Sequence, residues 1–184
     1  MKIWPLLMLI LMLNACSDDK PTSQTSDQAP SYRLTTEFTG PDRSLGIEVG
    51  NNNKSLPVMV DTIDNGNSQR SFLKITDGIY QISPRSSGGN IVLAIDIVGS
   101  LNFVTLSSPL NNDNDTWQVT PLSNGYCRLT SQLFGQGSSL DIVNDAEDRY
   151  VWMQTSGNRS GQHWQFEQIA GSTDDEVLSK CTDS

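Results

Sequence analysis

Residues 126–171 read YCRLTSQLFGQGSSLDIVNDAEDRYVWMQTSGNRSGQHWQFEQIAG, with apolar side chains in short runs: Tyr126-Cys127-Arg128-Leu129, Leu140-Asp141-Ile142, Val151-Trp152-Met153 and Trp164-Gln165-Phe166. Gly, Asn, Asp and Ser separate these runs, which is the punctuation of strands joined by turns. No window carries a convincing helical period. Two upstream segments follow the same plan. Residues 32–78 and 80–125 open on Tyr32 and Tyr80 as the third opens on Tyr126, and the three close on Gly78, Gly125 and Gly171. Trp117 and Trp164 stand 47 residues apart, and Asp96 and Asp141 stand 45 apart. A period of this length marks an internally repeated architecture. Four strands in each of three units predict an all-β fold that closes on itself and leaves few sheet edges free.

Gln162-His163-Trp164 resembles the Q-x-W signature of ricin-type β-trefoil lectins, and Ser139-Leu140-Asp141-Ile142 resembles the Leu-Asp-Val segment that precedes it in those repeats. The resemblance covers residues 32–171 and implies a β-trefoil of three four-stranded repeats. Asp115-Thr116-Trp117 keeps the tryptophan in the second unit, and Gln69-Arg70-Ser71 keeps the glutamine in the first. The motif has a structural meaning before a functional one. A tryptophan opening the last strand buries a large apolar area, and the glutamine can satisfy turn backbone. His163, the middle residue, is expected to face outward.

Sugar binding needs other groups. A pyranose offers vicinal hydroxyls, which a carboxylate accepts in pairs with amide help, and a C–H face that packs on an aromatic ring. The lectin pattern assigns these roles to an aspartate after the second-strand leucine, an aromatic ten residues before the glutamine, and an asparagine just before that glutamine. The third unit supplies Asp141, Trp152 and Gln162, with Gly161 at the asparagine position. Asn144 and Asn158 lie in nearby turns, where they are either the missing amide or simple turn formers. In the second unit Asp96 remains, but Thr105 replaces the aromatic and Asp115 the glutamine; in the first, Gly46 and Met59 replace aspartate and aromatic. The resemblance thus implies one saccharide site, in the third unit. Capping local backbone is the alternative role for Asp141, and packing in a local apolar cluster the alternative for Trp152.

Outside the repeats, residues 1–15 (MKIWPLLMLILMLNA) hold twelve apolar residues behind Lys2, too few to span a bilayer comfortably, and read as a secretion signal. Leu13-Asn14-Ala15-Cys16 resembles the lipobox of bacterial lipoproteins, which implies cleavage before Cys16 and lipid attachment to it. Ser17 resembles the sorting signal for the outer membrane if the source is Gram-negative. Residues 16–31 carry two prolines and no large apolar side chain, so a flexible tether is expected there. With Cys16 lipidated, Cys127 and Cys181 remain as an even pair in an oxidising compartment. A disulfide between them, or two free thiols, would account for that pair. Residues 172–184 read as a polar, partly disordered tail.

The chain has 184 residues with 12 Lys+Arg against 21 Asp+Glu, net charge −9, and one histidine. Such acidity argues against a nucleic-acid partner. A lone His163 removes multi-histidine metal sites and most histidine-based triads, and the paired carboxylates Asp18-Asp19 and Asp174-Asp175 lie in polar tails that offer no water exclusion. No catalysis, metal or cofactor is expected. The reading is a lipid-anchored, non-catalytic carbohydrate-binding module whose partners are a glycan or oligosaccharide and a membrane. The alternative is a structural or protein-interaction lipoprotein whose trefoil has lost sugar binding.

Overall fold

The computed structural model describes residues 29–49, 55–62, 66–99, 101–142 and 149–182. The secretion signal, Cys16 and most of the tether lie outside the described residues. The first unit holds β1 (Ser31–Thr36), β2 (Arg43–Val49), β3 (Ser55–Asp61) and β4 (Gln69–Thr76). The second holds β5 (Ile79–Pro84), β6 (Val92–Val98), β7 (Leu101–Ser107) and β8 (Trp117–Pro121). The third holds β9 (Cys127–Ser131), β10 (Ser138–Ile142), β11 (Val151–Thr155) and β12 (Trp164–Ala170), and a short helix α1 (Glu176–Ser179) follows.

The first and last strands of the units form a ring in the order β9-β12-β1-β4-β5-β8, closed by pairing of β8 with β9. The inner strands of each unit pair as hairpins, β2 with β3, β6 with β7 and β10 with β11. Closure gives each ring strand a neighbour on both sides, so no ring strand stands at a sheet edge among the described residues. This is the closed threefold all-β fold that the repeat predicts and the β-trefoil that the resemblance implies.

The repeat is written in the core. Leu34, Ile82 and Leu129 are fully buried at matching places on the opening strands, and Leu45, Leu93 and Leu140 are buried at matching places on the hairpins. Gly78, Gly125 and Gly171 close the units at φ of 73°, 84° and 73°, a left-handed conformation that glycine adopts without steric cost. The indole N–H of Trp117 donates to the Leu93 carbonyl at 2.8 Å, and that of Trp164 to the Leu140 carbonyl at 3.0 Å. Both bonds join a barrel strand to its own hairpin.

Strand register corrects two readings of the motifs. Tyr32 faces Arg70, Tyr80 faces Trp117, and Cys127 faces Trp164. The third-unit counterpart of the two tyrosines is therefore Cys127, one residue after Tyr126. In the first unit Arg70 takes the tryptophan position and Ser68 the glutamine position, so Gln69-Arg70-Ser71 is one residue out of step. A single-residue slip exchanges the two faces of a strand, so burial decides the matter where residue type misleads.

The C-terminal segment is docked, contrary to the expectation of a partly disordered tail. A disulfide joins Cys127 to Cys181 with Cα atoms 5.4 Å apart, and both cysteines are fully buried. Asp175 caps α1 through the N–H groups of Val177 and Leu178, accepts the Tyr80 hydroxyl at 2.7 Å and pairs with Lys74 at 3.2 Å. Burial opposes its charge, but the hydrogen bonds from Tyr80, Leu178, Lys74 and Val177 outweigh burial and hold its carboxyl below the ordinary value. Its stabilising contribution is complete above that ordinary value and fades as pH falls through the lowered one. At the other end of the chain β1 already includes buried Ser31, one residue inside the expected tether.

Arg70 is the misfit of the core. It is 1% exposed, its Nη1 donates to the carbonyls of Asn67 and Gln69, and its Nη2 has no hydrogen-bond partner. Burial pushes its pKa down to about 9, which leaves it charged at neutral pH. Because the folded value lies below the unfolded one, the charge opposes folding throughout the range below about pH 9. Even replacing a buried ion pair by apolar side chains of similar size is often stabilising by about 1–4 kcal/mol, and the partners of Arg70 among the described residues are carbonyls alone. Arg70→Trp, which installs the residue of the other two units, and the slimmer Arg70→Met are expected to raise the midpoint of thermal unfolding. A fall in both variants would contradict this view of Arg70.

Candidate functional site

The third-unit hairpin and the turn before β12 build the site. Asp141 on β10 lies directly opposite Trp152 on β11. In an antiparallel ladder such partners project from the same face. The Gln162 side chain is fully buried and uses all of its amide: Nε2 donates to Asp141 Oδ2 at 2.9 Å and to the Thr155 carbonyl at 3.0 Å, and Oε1 accepts the Gly157 N–H at 2.8 Å. A residue so enclosed touches no ligand. Gln162 instead fixes the turn and orients Asp141, which corrects its assignment as a sugar contact.

Gly161 completes this arrangement. A Cβ at that position would lie 2.3 Å from Asp141 Oδ1, so the carboxylate leans over the backbone where an asparagine side chain would begin. Asp141 is 5% exposed and borders a cavity of about 300 Å³ with Phe38, Gln154, Arg159 and Ser160. The Arg159 guanidinium lies 3.9 Å from Asp141 Oδ2 with its side chain 59% exposed.

Phe38 escaped the sequence reading. It comes from the first unit, in the turn after β1, and is 37% exposed. The Glu37 N–H donates to the His163 carbonyl at 2.9 Å and the Phe38 N–H to that of Ser160 at 3.3 Å, so this turn is clamped to the turn before β12. Glu37 also meets His163 Nδ1 through its carboxylate. His163 is thus buried at the junction of two units, where an outward side chain was expected.

Trp152 lines a different cavity, with Phe103 beside it at 6.1 Å between ring centroids. Asn158 is exposed in the turn after β11, and Asn144 lies outside the described residues. Asp141 and Trp152 therefore share a hairpin face without sharing a cavity.

The second unit shows where a 45-residue spacing misleads. The shared Trp-to-carbonyl bond makes Leu93 the counterpart of Leu140, so Ala94, opposite Thr105, holds the place of Asp141. Asp96 lies two residues nearer the hairpin tip, opposite Phe103. In the first unit the partner of Gly46 is Val58, which displaces Met59 from the aromatic position by one. Asp115 does keep the turn-fixing role of the glutamine, accepting the N–H groups of Leu110, Asn111 and Asn112. Asn114 stands before it, at the pattern's asparagine position, and its carbonyl accepts the Ile95 N–H at 2.8 Å. With Asp96 and Thr105 it borders a cavity of about 530 Å³.

No family model matches the chain, and none of the curated proteins matches it in sequence. Solved structures do match. ThreeFoil, a designed threefold-symmetric protein, aligns at 20% identity and TM-score 0.64 over 76% of this chain and 99% of its own. The Rhizoctonia solani agglutinin aligns at 13% identity and TM-score 0.60 over 77% of this chain and 96% of its own. The chain is a β-trefoil. A Polyporus squamosus lectin, in complex with a human-type influenza-binding epitope, aligns at 13% identity and TM-score 0.59 over 77% of this chain, which spans half of the lectin's length. At such identities the likeness shows the fold alone.

The Gly161–Asp141 contact gives a direct prediction. Gly161→Ala forces the carboxylate aside and is expected to destabilise the protein by about 1–3 kcal/mol. Gly137→Ala, where an added Cβ meets nothing within 4 Å, is expected to be near neutral. Urea unfolding of the two variants checks this, and equal stability would show that Asp141 yields freely.

Proposed function

We propose that the protein is a non-catalytic carbohydrate-binding module whose saccharide site lies between the first and third units, at Phe38, Asp141, Gln154, Arg159 and Ser160. The observation that carries this reading is the pairing of an exposed aromatic ring with a carboxylate held from behind by a buried amide, around one cavity of saccharide size. A carboxylate offers about four acceptor lone-pair sites. Gln162 engages Oδ2, so capacity on Oδ1 remains for sugar hydroxyls. Gln154, Arg159 and Ser160 supply donors, and Phe38 supplies the face for a sugar's C–H surface. The lectin folds to which the chain is similar support the same reading.

In this account Cys16 is lipidated after removal of residues 1–15, and residues 17–30 tether the module to a membrane, the outer one in a Gram-negative cell. The support is the Leu13-Asn14-Ala15-Cys16 sequence with its polar sequel. One observation favours the second reading, protein interaction: Val49, Ile97 and Val98 at the hairpin tips are 67%, 49% and 58% exposed.

A glycan array followed by calorimetry on the full chain tests the proposal. Saccharide binding is expected, weakened roughly fivefold in Phe38→Ala by loss of an aromatic contact worth about 1 kcal/mol and weakened further in Asp141→Asn. Binding that survives both substitutions, or is lost in Trp152→Ala alone, would place the site elsewhere. A blank array would favour the protein-interaction reading.

A further inference from the structure

The cavity that Trp152 lines has an origin in the repeat. Leu56, Phe103 and Tyr150 border it, each 47 residues after the last, and so do Pro57, Val104 and Val151, again at intervals of 47. Two sets of threefold-related residues, all from the third strand of a unit or its leading residue, place the cavity on the pseudo-threefold axis at the hairpin end of the barrel. It measures about 230 Å³. Its wall is apolar and aromatic, with Phe103 half-buried and Tyr150 36% exposed at its edge.

Trp152 breaks the symmetry. Its counterparts in the other units are Val58 and Thr105, so one large ring has been added to an otherwise threefold wall. The indole Nε1 is buried, and no acceptor among the described residues reaches it. A buried N–H without a partner costs free energy that a ligand's acceptor would recover. An apolar cavity of about 150 Å³ suffices for a benzene ring, so this one is large enough for a substituted aromatic ring.

One hairpin face contributes side chains to both cavities: Trp152 to the axial one, Asp141 and Gln154 to the polar one. Asp141, opposite Trp152, and Gln154, two residues further along β11, border the polar cavity. Two residues of strand span roughly 7 Å. From these relations we infer that the axial cavity is an apolar subsite, and that the ligand is a saccharide carrying an apolar ring-sized aglycone. The sugar contacts Asp141 and Gln154, while the aglycone lies against Phe103 and Trp152 with an acceptor toward the Trp152 indole N–H. The inference rests on the saccharide reading for its sugar half and on the axial cavity for its apolar half.

Matched pairs of methyl and 4-nitrophenyl glycosides of the hexopyranoside that the protein binds, titrated by calorimetry into the full chain, separate the two halves. The aryl glycoside is expected to bind about fifteenfold more tightly, the ratio that burying two methylene equivalents produces. Phe103→Ala, and the milder Phe103→Leu if the first fails to fold, is expected to reduce that preference while leaving methyl glycoside affinity unchanged. Equal affinity of the wild-type protein for the two glycosides would overturn the apolar subsite and leave the saccharide reading standing. If no glycoside binds, 1-naphthol serves as the probe. Quenching of Trp152 fluorescence, identified by its loss in Trp152→Phe, would uphold the aromatic cavity and remove the saccharide; no quenching would overturn both.

Discussion

The hydrogen bond from the Trp164 indole to the Leu140 carbonyl, repeated from Trp117 to Leu93, is the constraint on which the unit's geometry depends. It joins the last barrel strand to the hairpin across 24 residues of chain, in a core where an unmatched donor would be costly. Once Trp164 is held there, Gln162 falls under the preceding turn and Asp141 follows Leu140 onto the outer hairpin face. Their contact is then a consequence of the fold. The first unit lacks this tie because Arg70 replaces the tryptophan. Its hairpin leans on the third unit instead, through the Val58–Tyr150 bridge and the Met59 N–H bond to the Arg149 carbonyl.

Three similar units sharing one core allow each to keep a different part of a binding pattern. Asn67, Asn114 and Gly161 occupy one position at intervals of 47, and only the unit with glycine there carries an aspartate at the place of Asp141. In the third unit the Asp141 carboxylate leans into the space that a side chain at position 161 would take. What distinguishes the third unit is a carboxylate oriented by a buried amide, beside an aromatic ring that the first unit contributes.

The fold was legible in the sequence because the features that reported it repeat. Tryptophans 47 apart, unit-closing glycines and short apolar runs all reflect barrel strands whose inward faces must match. The site was legible only in part. Local spacing places Asp141 but not its bond from Gln162, and Phe38 borders the same cavity through ring closure between β12 and β1, a neighbourhood that no period encodes. Asp96 misled because the second-unit hairpin carries an aspartate two residues from the matching place. Trp152 met the spacing rule yet faces another cavity, since spacing along a strand specifies a face and not the neighbour across it.

The central claim is that a saccharide sits between the first and third units with its C–H surface on Phe38. Intermolecular nuclear Overhauser effects between bound saccharide and the full chain, with aromatic rings assigned residue by residue, test it most directly. Cross-peaks from the pyranose ring protons to the Phe38 ring are the predicted result. Cross-peaks from the same protons to Trp152 or Phe103, with none to Phe38, would contradict the account.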